Sequence, residues 1–121
     1  MDFGEVEPSR WRGGEMRALA PASKVTFNRR ELDRILSLYG RKVAAGEWRD
    51  YAIDFLKDRA VFSVFRRTTE FPIYRIEKIP RLARRQGAYS VISATGHILR
   101  RGHELDRVLS ALDRSVSLVA G

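Results

Sequence analysis

Apolar side chains recur with a helical period in the first part of this 121-residue chain. They lie at i, i+3, i+4, i+7 and i+11, which places them on one face of an α-helix: Leu32, Ile35, Leu36, Tyr39 and Val43. Asn28 and Glu31 precede this face with the spacing of a capping box. Gly46 suits the position just after the helix, although Gly40 could end it earlier.

The same spacing recurs near the C-terminus and predicts a second helix with one apolar face: Leu105, Val108, Leu109, Leu112 and Val116. Gly102 is expected to open this helix. Glu104 and Asp106 would complement the positive end of its dipole.

Between the helices, apolar and polar residues alternate with the period of two that is typical of β-strands. The alternation and its turn residues predict five strands near 51–55, 60–67, 72–76, 89–94 and 97–101. The second strand is apolar on both faces, so we expect it inside the sheet. The predicted fold class is α+β: an antiparallel meander of about five strands, flanked by an N-terminal and a C-terminal helix.

Glycine and proline without any period indicate that residues 1–24 form a flexible arm. Residues 25–118 are predicted to form a single domain, and residues 119–121 a short tail. The pattern leaves open whether both helices cover one sheet face or each covers one. If both lie on one face, the other face would expose apolar residues and serve a homodimer or another protein partner: Val61, Phe65 and Ile73.

The formal net charge is +8, and residues 1–24 hold as many acidic as basic side chains, so the excess lies in the predicted domain. Antiparallel strands one, three and five finish at the same end of a meander. Eight basic residues should therefore share one rim: Lys57, Arg59, Lys78, Arg81, Arg84, Arg85, Arg100 and Arg101. We interpret this rim as a contact for DNA or RNA, or for an acidic protein. The competing interpretation is a solvated rim with local ion pairs.

Known catalytic and ligand motifs are missing from the sequence. Without cysteine there can be no disulfide, thiolate nucleophile or cysteine-bound zinc. A strand separates His97 from His103, which disfavours a metal site. We therefore expect a non-enzymatic binding module with no catalytic residue, metal or cofactor. No apolar run approaches a membrane span and no signal peptide is recognised, so we expect a cytoplasmic protein without membrane contact.

Four segments carry a resemblance to a known family: 46–55 (GEWRDYAIDF), 65–68 (FRRT), 72–78 (PIYRIEK) and 84–91 (RRQGAYSV). With them, residues 25–116 resemble an uncharacterised family of short basic alphaproteobacterial proteins, a domain of unknown function. The resemblance implies a bacterial cytoplasmic protein and supplies no catalytic or binding residues.

Overall fold

A computed structural model shows a five-stranded sheet with one helix before it and one after it in the chain. The structure describes residues 24–67 and 71–120, and side chains of the last helix are described up to Asp113. The elements are α1 (Arg29–Ala44), β1 (Asp50–Phe55), β2 (Ala60–Phe65), β3 (Tyr74–Lys78), a short 3₁₀ helix (Pro80–Leu82), β4 (Tyr89–Ser93), β5 (Ile98–Gly102) and α2 (Leu105–Ala120). The predicted α+β class and element order are confirmed. Apart from Lys24, the predicted arm lies outside the described residues.

The strands pair antiparallel in the order β1-β2-β3-β4-β5. One row of paired residues crosses the whole sheet: Phe55, Ala60, Lys78, Tyr89 and Gly102. These residues mark the end where β1, β3 and β5 finish. The topological premise of the basic rim is therefore correct for the backbone.

Both helices cover the same face of the sheet. Phe62, Ile76 and Val91 are cross-strand neighbours on that face, and they share one buried cluster with residues of both helices: Ile35 and Leu38 of α1, and Leu105, Val108, Leu109 and Leu112 of α2. The helices also contact each other, as in the 2.7 Å ion pair from Arg34 Nη1 to Asp106 Oδ2. Of the two arrangements that the sequence left open, the structure adopts the one with both helices on one face.

The buried face of α1 differs from the predicted one. Ile35 is buried as expected, but Leu38 is also buried and Val43 is 41% exposed. Two charged residues, Glu31 and Lys42, complete the buried face. Lys42 Nζ donates to Leu112 O at 2.9 Å. Polar partners allow these charged side chains to be buried. Because the prediction counted apolar residues only, it placed the buried face of α1 slightly wrong.

Three predicted boundaries were wrong by a few residues. Gly102 does not open the last helix, because it pairs with Tyr89 as the final residue of β5. Pro72 lies before β3, which begins at Tyr74, and β2 ends at Phe65 rather than at residue 67. Gly40 does not end α1, which continues to Ala44.

The predicted capping box at the start of α1 is confirmed. Glu31 N donates to Asn28 Oδ1 and Asn28 N donates to Glu31 Oε1, both at 2.8 Å. Gly46, with a φ of 78°, follows the last helical turn. The left-handed conformation at this position is typical of a helix C-terminus.

Replacing Asn28 with alanine should lower the free energy of unfolding by about 1 kcal/mol, since one helix N–H loses its side-chain acceptor. Urea unfolding followed by circular dichroism measures the change. Asn28→Asp is the matched control and should restore most of the stability, because the carboxylate also accepts from that N–H. An unchanged midpoint in Asn28→Ala would show that the cap contributes nothing to stability.

Candidate functional site

The basic loop, residues 79–88 between β3 and β4, is held by its own backbone hydrogen bonds. Ile79 N donates to Ala88 O at 2.7 Å across the base of the loop. Arg85 N and Gly87 N both donate to Leu82 O at 3.0 Å. The loop therefore presents its side chains from a defined backbone.

Gly87 lies against the end of β5 with a φ of 104°. A Cβ atom built there would approach His103 N to 2.6 Å and would come still closer to the carbonyl group of Gly102. Nearby, Arg101 Nη1 donates to Gln86 Oε1 at 2.6 Å. The close approach at Gly87 and the Arg101–Gln86 hydrogen bond join the basic loop to β5.

The turn between β1 and β2 approaches the basic loop from the other side. Arg59 donates hydrogen bonds to Asp58 and thereby lowers the pKa of that carboxyl group, and the charge of Arg81 lowers it further. Arg81 is therefore close enough to the turn to act on it electrostatically. Lys57 is an exposed residue of the same turn.

Three of the eight predicted rim residues form structural contacts instead of facing a partner. Lys78 Nζ donates to Glu31 Oε1 at 2.8 Å and Arg59 Nη1 to Glu77 Oε1 at 2.8 Å. Arg100 Nη1 donates to the backbone oxygen of Arg107 at 3.1 Å. Because these side chains satisfy other polar groups of the fold, they contribute less to an open binding surface.

Four of the remaining rim residues are exposed, and we call them the free basic set: Lys57, Arg81, Arg84 and Arg85. Within the described ranges, none of the four side chains makes a hydrogen bond or an ion pair. Arg101 lies beside them with a neutral partner, Gln86. Five of the eight predicted residues thus lie at one end of the sheet without an ion pair to an acidic side chain in the described ranges.

Three acidic residues at this end, Asp58, Glu77 and Glu104, are paired with other cations. Glu77 is 4% exposed and lies 2.8 Å from Arg59 and 3.4 Å from Arg75. Glu104 Oε1 lies 3.2 Å from Arg107 Nε. Asp58 also pairs with Arg59, so the free basic set keeps its positive charge.

A buried polar cluster supports this end of the sheet from the helix side. Glu31 accepts from Lys78 Nζ with one carboxylate oxygen and from the Tyr89 hydroxyl with the other. Burial would raise the pKa of Glu31, but the hydrogen bonds from Lys78, Tyr89 and Asn28 outweigh it and lower the pKa. Burial, with the neighbouring Glu31, raises the pKa of Tyr89 to about 12. The sequence marked Glu31 only as a cap and Lys78 only as a rim residue.

A cleft of about 420 Å³ opens above this cluster, between the beginnings of the two helices. Arg30, Arg34 and His103 line it together with Glu104 and Asp106. Its mixed charges do not select one sign of ligand. Among the described residues, no three histidine or acidic side chains are placed to hold a metal ion.

The three residues predicted for an apolar interface do not form an exposed patch. Val61 is only 7% exposed and lies between Asp54 and Glu77 on the sheet face away from the helices. Phe65 and Ile73 are half-buried, and Ile73 packs against the core cluster.

In the described ranges, no helix has the length and apolar character needed to cross a bilayer.

Comparison with known proteins identifies one family. The model of the family described as "Protein of unknown function (DUF2794)" matches residues 25–109. No curated protein matches the chain, and no solved structure matches it either.

Proposed function

This chain belongs to that family, and because the family's function is unknown, we propose a function from the geometry of the site. The proposed function is that of a non-enzymatic module that binds a polyanion, with nucleic acid as the first ligand to test. The free basic set and Arg101 would contact the backbone phosphates. The observation that carries the proposal is that the free basic set is exposed, while Asp58, Glu77 and Glu104 at the same end each pair with another arginine.

Arginine dominates this surface, and its chemistry favours phosphate as the ligand. A guanidinium group can donate two parallel hydrogen bonds to phosphate oxygens, which an ammonium group cannot do with fixed geometry. Arg81, Arg84 and Arg85 also start from a loop whose backbone is already ordered by hydrogen bonds. Binding would therefore cost side-chain entropy but little backbone entropy.

Affinity for duplex DNA, single-stranded DNA and RNA should fall linearly with salt on logarithmic axes, because phosphate contacts release counterions. Replacing Arg81, Arg84 and Arg85 together by glutamine should lower the magnitude of the slope for duplex DNA by about 2.7, which is about 0.9 for each lost phosphate contact. Fluorescence anisotropy across a salt series measures both the affinity and the slope.

The charge-matched control replaces Arg49, Arg66 and Arg67 by glutamine at the opposite end of the sheet. It removes the same formal charge and should leave the slope nearly unchanged. Absence of binding to all three nucleic acids at low salt would refute the proposal, as would equal slopes for both triple variants. Purification of partners from a cell lysate, with and without nuclease, would reveal an acidic protein if that is the actual ligand.

A further inference from the structure

A second cleft, of about 520 Å³, lies at the end of the sheet opposite the basic loop. It forms where α1 ends, β1 begins and β2 ends, and it is lined by Val43, Gly46, Trp48, Arg49, Arg66 and Arg67. The hydrogen bond from Arg49 N to Phe65 O, at 2.8 Å, places Arg49 beside the end of β2. Its volume is within the range of about 300–1,000 Å³ that is usual for small-molecule sites.

Among the described residues that line this cleft, all the ionisable side chains are positively charged: Arg49, Arg66 and Arg67. Arg49 and Arg66 are exposed, and in the part of the chain that the structure describes their side chains have no hydrogen-bond or ion-pair partner. The acidic neighbours that the structure describes contact other groups: Glu47 lies 3.9 Å from Lys42 Nζ, and Asp50 Oδ1 accepts from Tyr51 N. An anion is therefore the ligand that the polar side of the cleft fits.

The end of α1 does not cancel this preference. A helix C-terminus carries partial negative charge on its unpaired carbonyl groups and would repel an anion. Here Arg41 O and Val43 O accept from Ala45 N and Gly46 N, and Lys42 O accepts from the backbone of residues 47 and 48. With these acceptors occupied, the guanidinium groups dominate the field in the cleft.

The other side of the cleft is apolar and rigid. Trp48 is 4% exposed and packs against the rings of Tyr39 and Tyr74, whose centroids lie 6.2 and 6.3 Å away. Lys42 Nζ lies 5.8 Å from the Trp48 ring centroid. Val43, 41% exposed although it was predicted to be buried, adds an apolar surface at the mouth.

We propose that this cleft binds a small organic phosphate, with Arg49 and Arg66 holding the phosphate and Val43, beside the buried Trp48, contacting an apolar or planar body. The site is separate from the basic loop, so this inference does not rest on the proposed nucleic-acid contact. Adenosine monophosphate is the probe, since it combines a phosphate with a planar base. Inorganic phosphate tests the arginine side of the cleft alone, and adenosine tests its apolar side alone.

Isothermal titration calorimetry should show that adenosine monophosphate binds more tightly than inorganic phosphate and far more tightly than adenosine. Arg49→Gln and Arg66→Gln should each lower the affinity for adenosine monophosphate at least about tenfold, the loss expected for a charge-assisted hydrogen bond. Val43→Ser should lower the affinity for adenosine monophosphate but not that for inorganic phosphate. Both arginines are exposed, so thermal unfolding should confirm that these variants are folded.

The triple glutamine variant of Arg81, Arg84 and Arg85 is the control and should bind adenosine monophosphate as the native chain does. Failure of adenosine monophosphate and inorganic phosphate to bind at millimolar concentration would overturn the inference. Loss of adenosine monophosphate binding in the control, with no loss in the cleft variants, would also overturn it. That second result would assign the ligand to the basic loop.

Discussion

Replacement of Gly87 by alanine is expected to lower the free energy of unfolding by about 4 kcal/mol, through a strained backbone and an overpacked contact acting together. The φ of 104° is one that residues with a side chain rarely adopt. The added Cβ would also meet the backbone of Gly102 and His103, with His103 N only 2.6 Å away. Backbone atoms of a strand end cannot swing aside as a flexible side chain can.

Gly96→Ala is the matched control for this prediction. Gly96 has a similar φ of 88°, but no atom lies within 4 Å of its built Cβ. Gly96→Ala should therefore lower the free energy of unfolding only by the strain of a left-handed residue, about 1–2 kcal/mol. Chemical denaturation of both variants isolates the contribution of the close approach, and equal losses would show that the loop does not press on β5.

Gly87→Ala should also weaken the binding proposed for the basic loop. The loop that carries Arg81, Arg84 and Arg85 meets β5 at Gly87, and Arg101 of β5 donates to Gln86 of that loop. A loop displaced from β5 would separate Arg101 from Arg84 and Arg85.

Glu31→Gln is expected to lower the free energy of unfolding by about 3 kcal/mol, because it leaves a largely buried ammonium group without its counter-charge. The side chains of Glu31 and Lys78 are 9% and 18% exposed and lie 2.8 Å apart. Glutamine keeps the shape and one oxygen, so the loss reports mainly the missing charge. The control, Asp33→Asn, removes an exposed carboxylate from the same helical turn and should change stability by less than about 0.5–1 kcal/mol.

The difference between the native chain and Glu31→Gln should depend on pH. The pKa of Glu31 is lowered in the folded state from its ordinary value of 4.5. Its contribution to stability is therefore complete above pH 4.5 and is lost as pH falls through the lower, folded-state pKa. Urea titrations between pH 7 and pH 2 should show the two proteins converging, and a constant difference would mean that Glu31 is not the titrating group.

Tyr89 produces the opposite dependence at alkaline pH. Its pKa is raised from 10.0 to about 12 in the folded state. Its contribution is complete below pH 10 and is lost as pH rises through about 12. Together, Glu31 and Tyr89 stabilise the fold most between pH 4.5 and pH 10.

Periodicity was sufficient to predict the elements of this fold, because each helix and each interior strand presents an apolar face to one core. The capping box at Asn28 and the left-handed turn at Gly46 were also correct, since both depend on a few adjacent residues. Gly102 was misplaced because a glycine that ends a strand looks the same in sequence as one that precedes a helix.

The candidate site was only half predictable. Strand direction follows from connectivity, so the sequence correctly brought the ends of β1, β3 and β5 together. It could not separate exposed cations from paired ones, because the partners of Lys78 and Arg59 are 47 and 18 residues away along the chain. The cleft at Arg49 and Arg66 could not be predicted from the sequence for the same reason, because its walls come from the end of α1, the beginning of β1 and the end of β2.

The amino-acid sequence by itself determined the α+β class, the element order and the end of the sheet to which the basic loop belongs. These properties depend on local periodicity and on the direction in which consecutive strands run. Only the tertiary structure decided that both helices lie on one face, that Glu31 and Lys42 are buried, and which cations remain free. Those properties depend on contacts between residues far apart in sequence, where burial and pairing of charge are set by the packed surfaces themselves.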